Sequence, residues 1–190
     1  MTARPPYVLG LDPALRRTGV ATITHADGAC SAQSWVIATP AAGGTLTDRL
    51  ASIRSVTHQL GRLIAALGHP PALALLEGAS YGSEHGQPHE RGGLYWALVG
   101  ALVDHNVPVA ECPPPTLKKW ATGSGRAEKA AVVAAMGLMW PGVRATGDPA
   151  RHHECEALAL AHMAAQHLGW PVPIRTHHGA SLAVIKWPVG

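Results

Sequence analysis

Cysteine is scarce in this chain: Cys30, Cys112 and Cys155 are far apart and odd in number. They form neither a disulfide framework nor a CxxC metal pair, which suits a reducing cytoplasm. Long apolar runs are also missing. No stretch approaches the ~18 uninterrupted apolar residues that a bilayer span needs. The N-terminus has no charged region leading into a long apolar run and a cleavage site, so no signal peptide is expected. Charged residues are only 14% against 47% hydrophobic, which argues against disorder and for a globular chain. No internal repeat or low-complexity linker is found. The 190 residues suffice for one domain with a real core, expected to be soluble, intracellular and free of any membrane partner. Net charge is +3 with histidine neutral, and there are 12 histidines. That mildly basic balance permits a polyanionic partner without demonstrating one.

What is present is an ordered series of periodic segments. "YVLGLD" from Tyr7 reads as a buried strand, "GVATITHADG" as a second ending in a turn at Asp27-Gly28, and "SAQSWVIAT" as a third closing a meander. The Pro/Gly-rich "TPAAGG" breaks the chain. From Thr47, apolar residues at 50, 53, 56, 60, 63, 64 and 67 predict a helix with Gly68 as its stop. "PALALLEG" predicts a strand, "HERGGLYWALVGALVDHN" a helix, "VPVAEC" a fifth strand and "PPP" a breaker; "RAEKAAVVAAMGLMW" predicts a further helix. Asp148-Pro149 resembles an N-cap with proline at the first helical position, opening a helix through about Leu168. The tail from Gly169 has no assignment. This order predicts an α/β fold.

Two of these strands end in a carboxylate. Asp12 closes "YVLGLD" and Glu77 closes "ALALLE". A single such residue is readily explained as a turn cap. Two at one sheet edge, if the strands are neighbours, invite a shared cation, because an unpaired buried carboxylate costs several kcal/mol or takes up a proton. Binding sites in open α/β sheets favour strand ends. "RHHECEALALAHMAAQHLG" adds more ligands: His153 and Glu156 share a helical face that continues into core-like Leu160 and Met163 or Ala164. His152 with Glu156 is a competing pair, and a solvated first turn near the positive end of the dipole explains the residues equally well in isolation. Three carboxylates with a histidine suit Mg²⁺ or Mn²⁺ better than structural zinc. No standard spacing supports zinc through Cys112, Cys155 and the histidines, and "HHECE" is not the HExxH motif.

Between these segments lies "PPPTLKKWATGSGRAEKAAV". It is not a Walker A loop. Lys118, Lys119, Arg126 and Lys129 place positive charge beside a turn and a helix start, which suits phosphate contacts; a solvated basic face is the plain alternative.

Taken in order, "VLGLDPALRRTGVA", "ALLEGASYG", "PPPTLKKWATGSGRAEKAAV" and "HHECEALALA" resemble the RuvC-like Holliday junction resolvases of the RNase H-like nuclease superfamily. The pattern is nearest to divergent phage-type members. Lys118, Gly123, Gly125, Ala127 and Lys129 follow the family's lysine and glycine spacing, and His153 and Glu156 fall on its last two metal-ligand positions. Glu156 departs from the usual aspartate. Where the family places a base-stacking aromatic this chain has Ser80, with Tyr81 next.

The resemblance implies an RNase H-like fold: a mixed five-stranded sheet flanked by helices on both faces. It implies a nuclease domain over residues 1–168, followed by a tail over 169–190 of unassigned role. Asp12, Glu77, His153 and Glu156 are the expected ligands of two Mg²⁺ or Mn²⁺ ions, with Lys118 and Lys129 completing the catalytic set. Arg16, Arg17, Tyr81, Lys119 and Arg126 join those lysines as expected DNA contacts. The implied activity is a metal-dependent, structure-selective endodeoxyribonuclease. It would resolve four-way junctions by paired symmetric nicks, leaving 5′-phosphate and 3′-hydroxyl ends. A homodimer is implied, its interface on the helix from about Arg91 to His105, acting in the cytoplasm of a bacterium or a phage-infected host. Two alternatives remain at this point: a nuclease for flaps, forks and other branched DNA, and a junction-binding protein with impaired catalysis.

Overall fold

The computed structural model describes residues 4–39, 44–78, 87–143 and 151–189. Three antiparallel strands open the chain: β1 (Tyr7–Asp12), β2 (Arg17–Ala26) and β3 (Ala29–Ala38). The β2–β3 turn places Asp27 and Gly28 at φ 51° and 75°, the left-handed pair that matches the twist of a tight hairpin. Helix α1 (Leu46–Leu67) begins in a capping box. Thr45 Oγ1 accepts from the Asp48 amide, and the Asp48 carboxylate accepts from the Thr45 amide. It ends at Gly68, φ 77°, as the sequence predicts.

Strand β4 (Leu73–Glu77) then runs parallel to β1, helix α2 (Pro88–Asp104) follows, and β5 (Val109–Cys112) runs parallel to β4. The five strands lie in the order β3-β2-β1-β4-β5. This is the mixed α/β sheet the sequence predicts. The remaining helices among the described residues are α3 (Pro114–Thr122), α4 (Lys129–Met139), α5 (His152–His167) and α6 (His178–Leu182).

Side-chain alternation along the strands divides the core in two. Leu9, Leu11, Ala74 and Leu76 meet Val56, Leu60 and Ile64 of α1 and Leu94, Leu98 and Leu102 of α2. Val8, Ala21, Ile23, Leu73 and Leu75 meet α3, α4 and α5 on the other face. Helix α5 crosses β1, β2 and β4, and every residue from Cys155 to Ala165 is buried.

"PPP" follows the end of β5 at Cys112, as the sequence predicts, but Pro114 and Pro115 also open α3, a helix the sequence pattern does not announce. The first helical positions need no amide donor and favour the φ that proline fixes, so these prolines start a helix. The expected opening at Asp148-Pro149 lies outside the described residues, and α5 is described from His152. No described helix is long and apolar enough to cross a membrane.

Candidate active site

Parallel pairing of β1 with β4 aligns Leu11 with Leu76, so Asp12 and Glu77 leave the sheet at the same edge. The alternation that turns Leu9 and Leu11 toward α1 and α2 turns Val8, Gly10 and Asp12 toward α5. Asp12 is only 4% exposed, and Glu77 is half-buried.

Two glycines bring α5 down onto this edge. A Cβ at Gly10 would lie 2.0 Å from the Ala157 carbonyl oxygen and 2.4 Å from the Ala161 nitrogen; one at Gly19 would lie 2.0 Å from the His153 carbonyl oxygen. Gly19 pairs with Asp12 across β1 and β2. The helix backbone therefore rests directly on the strand backbone where Asp12 emerges, and the first turn of α5 delivers His153 and buried Glu156 to it. The His153 Nδ1 contacts the Asp12 carboxylate. Glu77 and Glu156 are both within hydrogen-bonding reach of Asp12. Ligand atoms of His152, His153 and Glu156 lie within 4.8 Å of one another, so His152 joins the cluster rather than competing for it. Glu154 turns away to pair with Arg151 at 3.1 Å.

Crowded carboxylates in a dry pocket resist ionisation together. Burial raises Asp12 well above the usual carboxylate range, and the charge of Glu156 adds to it; Lys129 pulls the other way. Burial likewise raises Glu77, with Asp12 and Glu156 adding repulsion. Burial lowers His153, and the Lys129 charge lowers it further, which favours the neutral imidazole that can ligate a metal. Such a set holds protons unless a cation replaces them. Oxygen donors with one or two imidazoles fit a divalent ion such as Mg²⁺ or Mn²⁺. The thiols are poor candidates: all three are free, and burial raises Cys112 beyond its ordinary range and Cys155 to about 11.

Above the carboxylates opens a cleft of about 540 Å³, lined by Asp12, Glu77, Glu156, Lys118 and Lys129 together with Arg91 and Tyr95. Both expected lysines thus belong to its wall. Arg17 is exposed, and its charge reaches His153. Arg16, Lys119 and Arg126 are exposed and do not line the cleft. Tyr81 lies outside the described residues. Arg91 and Tyr95 were not singled out in the sequence. Their one-turn spacing on α2 is the sequence signal that sets them on one helical face. A larger groove of about 1030 Å³ lies elsewhere, between α1 and α2, and it contains no cluster of carboxylates.

Comparison with known proteins gives a consistent picture. A curated relative from Maricaulis maris, "Crossover junction endodeoxyribonuclease RuvC", is 32% identical over 160 residues, spanning 84% of this chain and 90% of its own. The Thermus thermophilus RuvC structure in complex with a Holliday junction substrate superposes with TM-score 0.68 at 18% identity, covering 89% of this chain and 99% of that one. The fowlpox virus Holliday junction resolvase superposes with TM-score 0.52 at 15% identity over 85% of this chain and 99% of that one; these two likenesses speak to the fold. The profile of the family described as "Crossover junction endodeoxyribonuclease RuvC" matches residues 8–163, a span that contains every one of the clustered ligands, and the chain belongs to that family.

Proposed function

We propose that the protein is a metal-dependent endodeoxyribonuclease that resolves four-way (Holliday) junctions by paired symmetric nicks. One observation carries this reading: Asp12, Glu77 and Glu156 converge with His153 at one sheet edge, and the three carboxylates line a cleft together with Lys118 and Lys129. The family's name, crossover junction endodeoxyribonuclease, gives the substrate class.

In this reading Asp12, Glu77, His153 and Glu156 would hold two Mg²⁺ or Mn²⁺ ions, and His152 is near enough to take part. Ions bound there would activate a water for attack on the phosphate and would stabilise the leaving 3′ oxygen, the chemistry that leaves 5′-phosphate and 3′-hydroxyl ends. The chain's own contributions are positional and electrostatic. Asp12 sits between Glu77 and Glu156 and faces both. Lys118 and Lys129 neutralise phosphates beside the cut, and Arg91 and Tyr95 line the opposite wall from α2. Arg17, whose charge reaches His153, and exposed Arg16, Lys119 and Arg126 outside the cleft would extend the basic surface to the DNA arms.

Two symmetric nicks require two active sites related by a two-fold axis, so the working form is a homodimer. Helix α2 turns Leu94, Leu98 and Leu102 inward and leaves Trp96 70% and Val103 57% exposed, with Leu50 of α1 47% exposed nearby in the α1–α2 groove. That face is the proposed dimer contact. A reducing cytoplasm suits the free thiols.

The test is cleavage of matched four-way junction, flap and duplex substrates in Mg²⁺, in Mn²⁺ and in chelator, with products mapped on every strand. Paired nicks at symmetric positions, only with metal and only on the junction, are expected. Equal cutting of flaps would widen the substrate class to branched DNA, and tight binding without cutting in either metal would make this a junction-binding protein.

A further inference from the structure

The chain beyond α5 turns at Gly169, φ 73°, and runs back across α5 and α3. Its apolar residues are seated in the same core: Val172 and Ile185 are buried against the α5 layer, and Trp187 stacks on His167 at 3.9 Å with ring planes 8° apart. Its backbone is pinned as well. The Pro173 carbonyl accepts from His162 Nε2 at 2.8 Å, and His162 Nδ1 accepts from the Trp140 indole at 3.1 Å.

The tightest engagement is with α3. His177 Nε2 donates to the Trp120 carbonyl at 2.9 Å. That carbonyl lies in the last turn of α3, where no amide further along the helix can bond it. His178 is fully buried and stacks on the Trp120 ring at 4.1 Å. The Gln166 side-chain oxygen accepts from both the Trp120 indole and His178 Nδ1, each at 3.1 Å. Trp120 is thus held from its backbone, its ring face and its N–H. It is two residues from Lys118, and two residues turn a helix by ~200°. The C-terminal segment grips one side of α3 while the opposite side presents Lys118 to the cleft. At nine residues, α3 is too short to hold its conformation or direction without such contacts.

We infer that the C-terminal segment is a brace for α3, and that His177 and His178 are positioning residues which set Lys118 over the scissile phosphate. This rests on the reading of Lys118 as a phosphate contact. The brace touches neither DNA nor metal; it fixes the angle at which α3 meets the cleft, and a displacement of about 1 Å at a positioned group is enough to slow a reaction many-fold.

The experiment is a double-mutant cycle on junction cleavage by the full chain. His177→Ala, at a half-buried position, should lower kcat/KM by about three- to tenfold, the range for one lost hydrogen bond. His177→Gln, which can still donate to the Trp120 carbonyl, should restore most of it. His178→Ala should cost at least as much; if that variant does not fold, the His177 cycle decides alone. In a Lys118→Ala background His177→Ala should add nothing, and Mn²⁺ binding to the DNA-free protein should match wild type throughout. Full activity in folded His177→Ala, or a loss that multiplies independently with that of Lys118→Ala, overturns the brace while leaving the nuclease reading intact. A Lys118→Ala variant that binds and cuts normally overturns the assignment of Lys118 itself, and the brace with it.

Discussion

His153 and His162 of helix α5 have opposite surroundings. His153, in the first turn, meets the Asp12 carboxylate beside Glu77, Glu156 and His152. His162, midway along, accepts from the Trp140 indole, donates to the Pro173 carbonyl and lies edge-on to the rings of Trp120, Trp140 and His178. Every polar atom of His162 is thereby used within the fold, and a single neutral tautomer is fixed. At His153 the surplus runs the other way: more acceptors crowd the space than the protein's own donors can satisfy. Residue type and helix are shared, so the difference lies in the partners. A surplus of acceptors marks the place for a cation, and a closed account of donors and acceptors marks structure.

Removing charge from the open end should have the largest effect. Asp12→Asn keeps the side chain's shape and should reduce cleavage by about 10³-fold or more, the several kcal/mol that a metal's charge supplies. Junction binding, followed by gel shift in Ca²⁺ or chelator, should persist. Glu77→Gln should behave alike. Near-normal cutting by either soluble variant would dissolve the distinction between the two ends of α5.

The seat of the helix is the next point of attack. Gly19→Ala places a methyl 2.0 Å from the His153 carbonyl oxygen. Either α5 or β2 must shift, at about 1–3 kcal/mol of stability, and cleavage should fall more than that stability loss accounts for. Urea unfolding run beside a cleavage assay separates the two. Glu156 sharpens the same point. Glu156→Asp should keep partial activity if the helix can close one methylene, whereas Glu156→Gln should lose most of it.

At the closed end the smaller, pH-linked effect belongs to stability rather than catalysis. Burial lowers His162 to about 4, with the neighbouring His178 pushing the same way and the Pro173 carbonyl opposing. Burial likewise lowers His178 to about 4, with His177 and Arg175 adding to it. Between their ordinary pKa near 6.5 and that value the unfolded chain binds more protons than the folded one. Stability should therefore fall as pH drops from about 6.5 toward 4, by on the order of 3 kcal/mol for His162. His162→Gln, which can also accept from Trp140 and donate to Pro173, should flatten the slope in thermal melts across that window.

Much of this was legible in the sequence because strand alternation and helical spacing are local. The boundaries of β1 and the stop of α1 at Gly68 follow from composition and periodicity alone. Asp12 and Glu77 stand out because a charge ends each apolar run, and a parallel register then aligns them. Other features depended on contacts no local pattern carries. The triple proline reads as a breaker until its first-turn role is seen. Gly10 and Gly19 look like ordinary strand glycines until the α5 backbone lies on them. Arg91 and Tyr95 reach the cleft only because α2 packs beside the strand ends, a placement no local pattern specifies. The tail's histidines and tryptophans show no periodicity, and His177 and His178 find their partner in Trp120, far away in sequence.

The most direct measurement is Mn²⁺ binding to the DNA-free protein, followed by calorimetry or by loss of the free-ion EPR signal. Wild type and His162→Gln should bind alike, while Asp12→Asn and Glu156→Gln should each lose about tenfold or more in affinity, as removal of a charged ligand predicts. Undiminished Mn²⁺ binding in both Asp12→Asn and Glu156→Gln would contradict the account, because the strand ends and the first turn of α5 would then not form a metal site together.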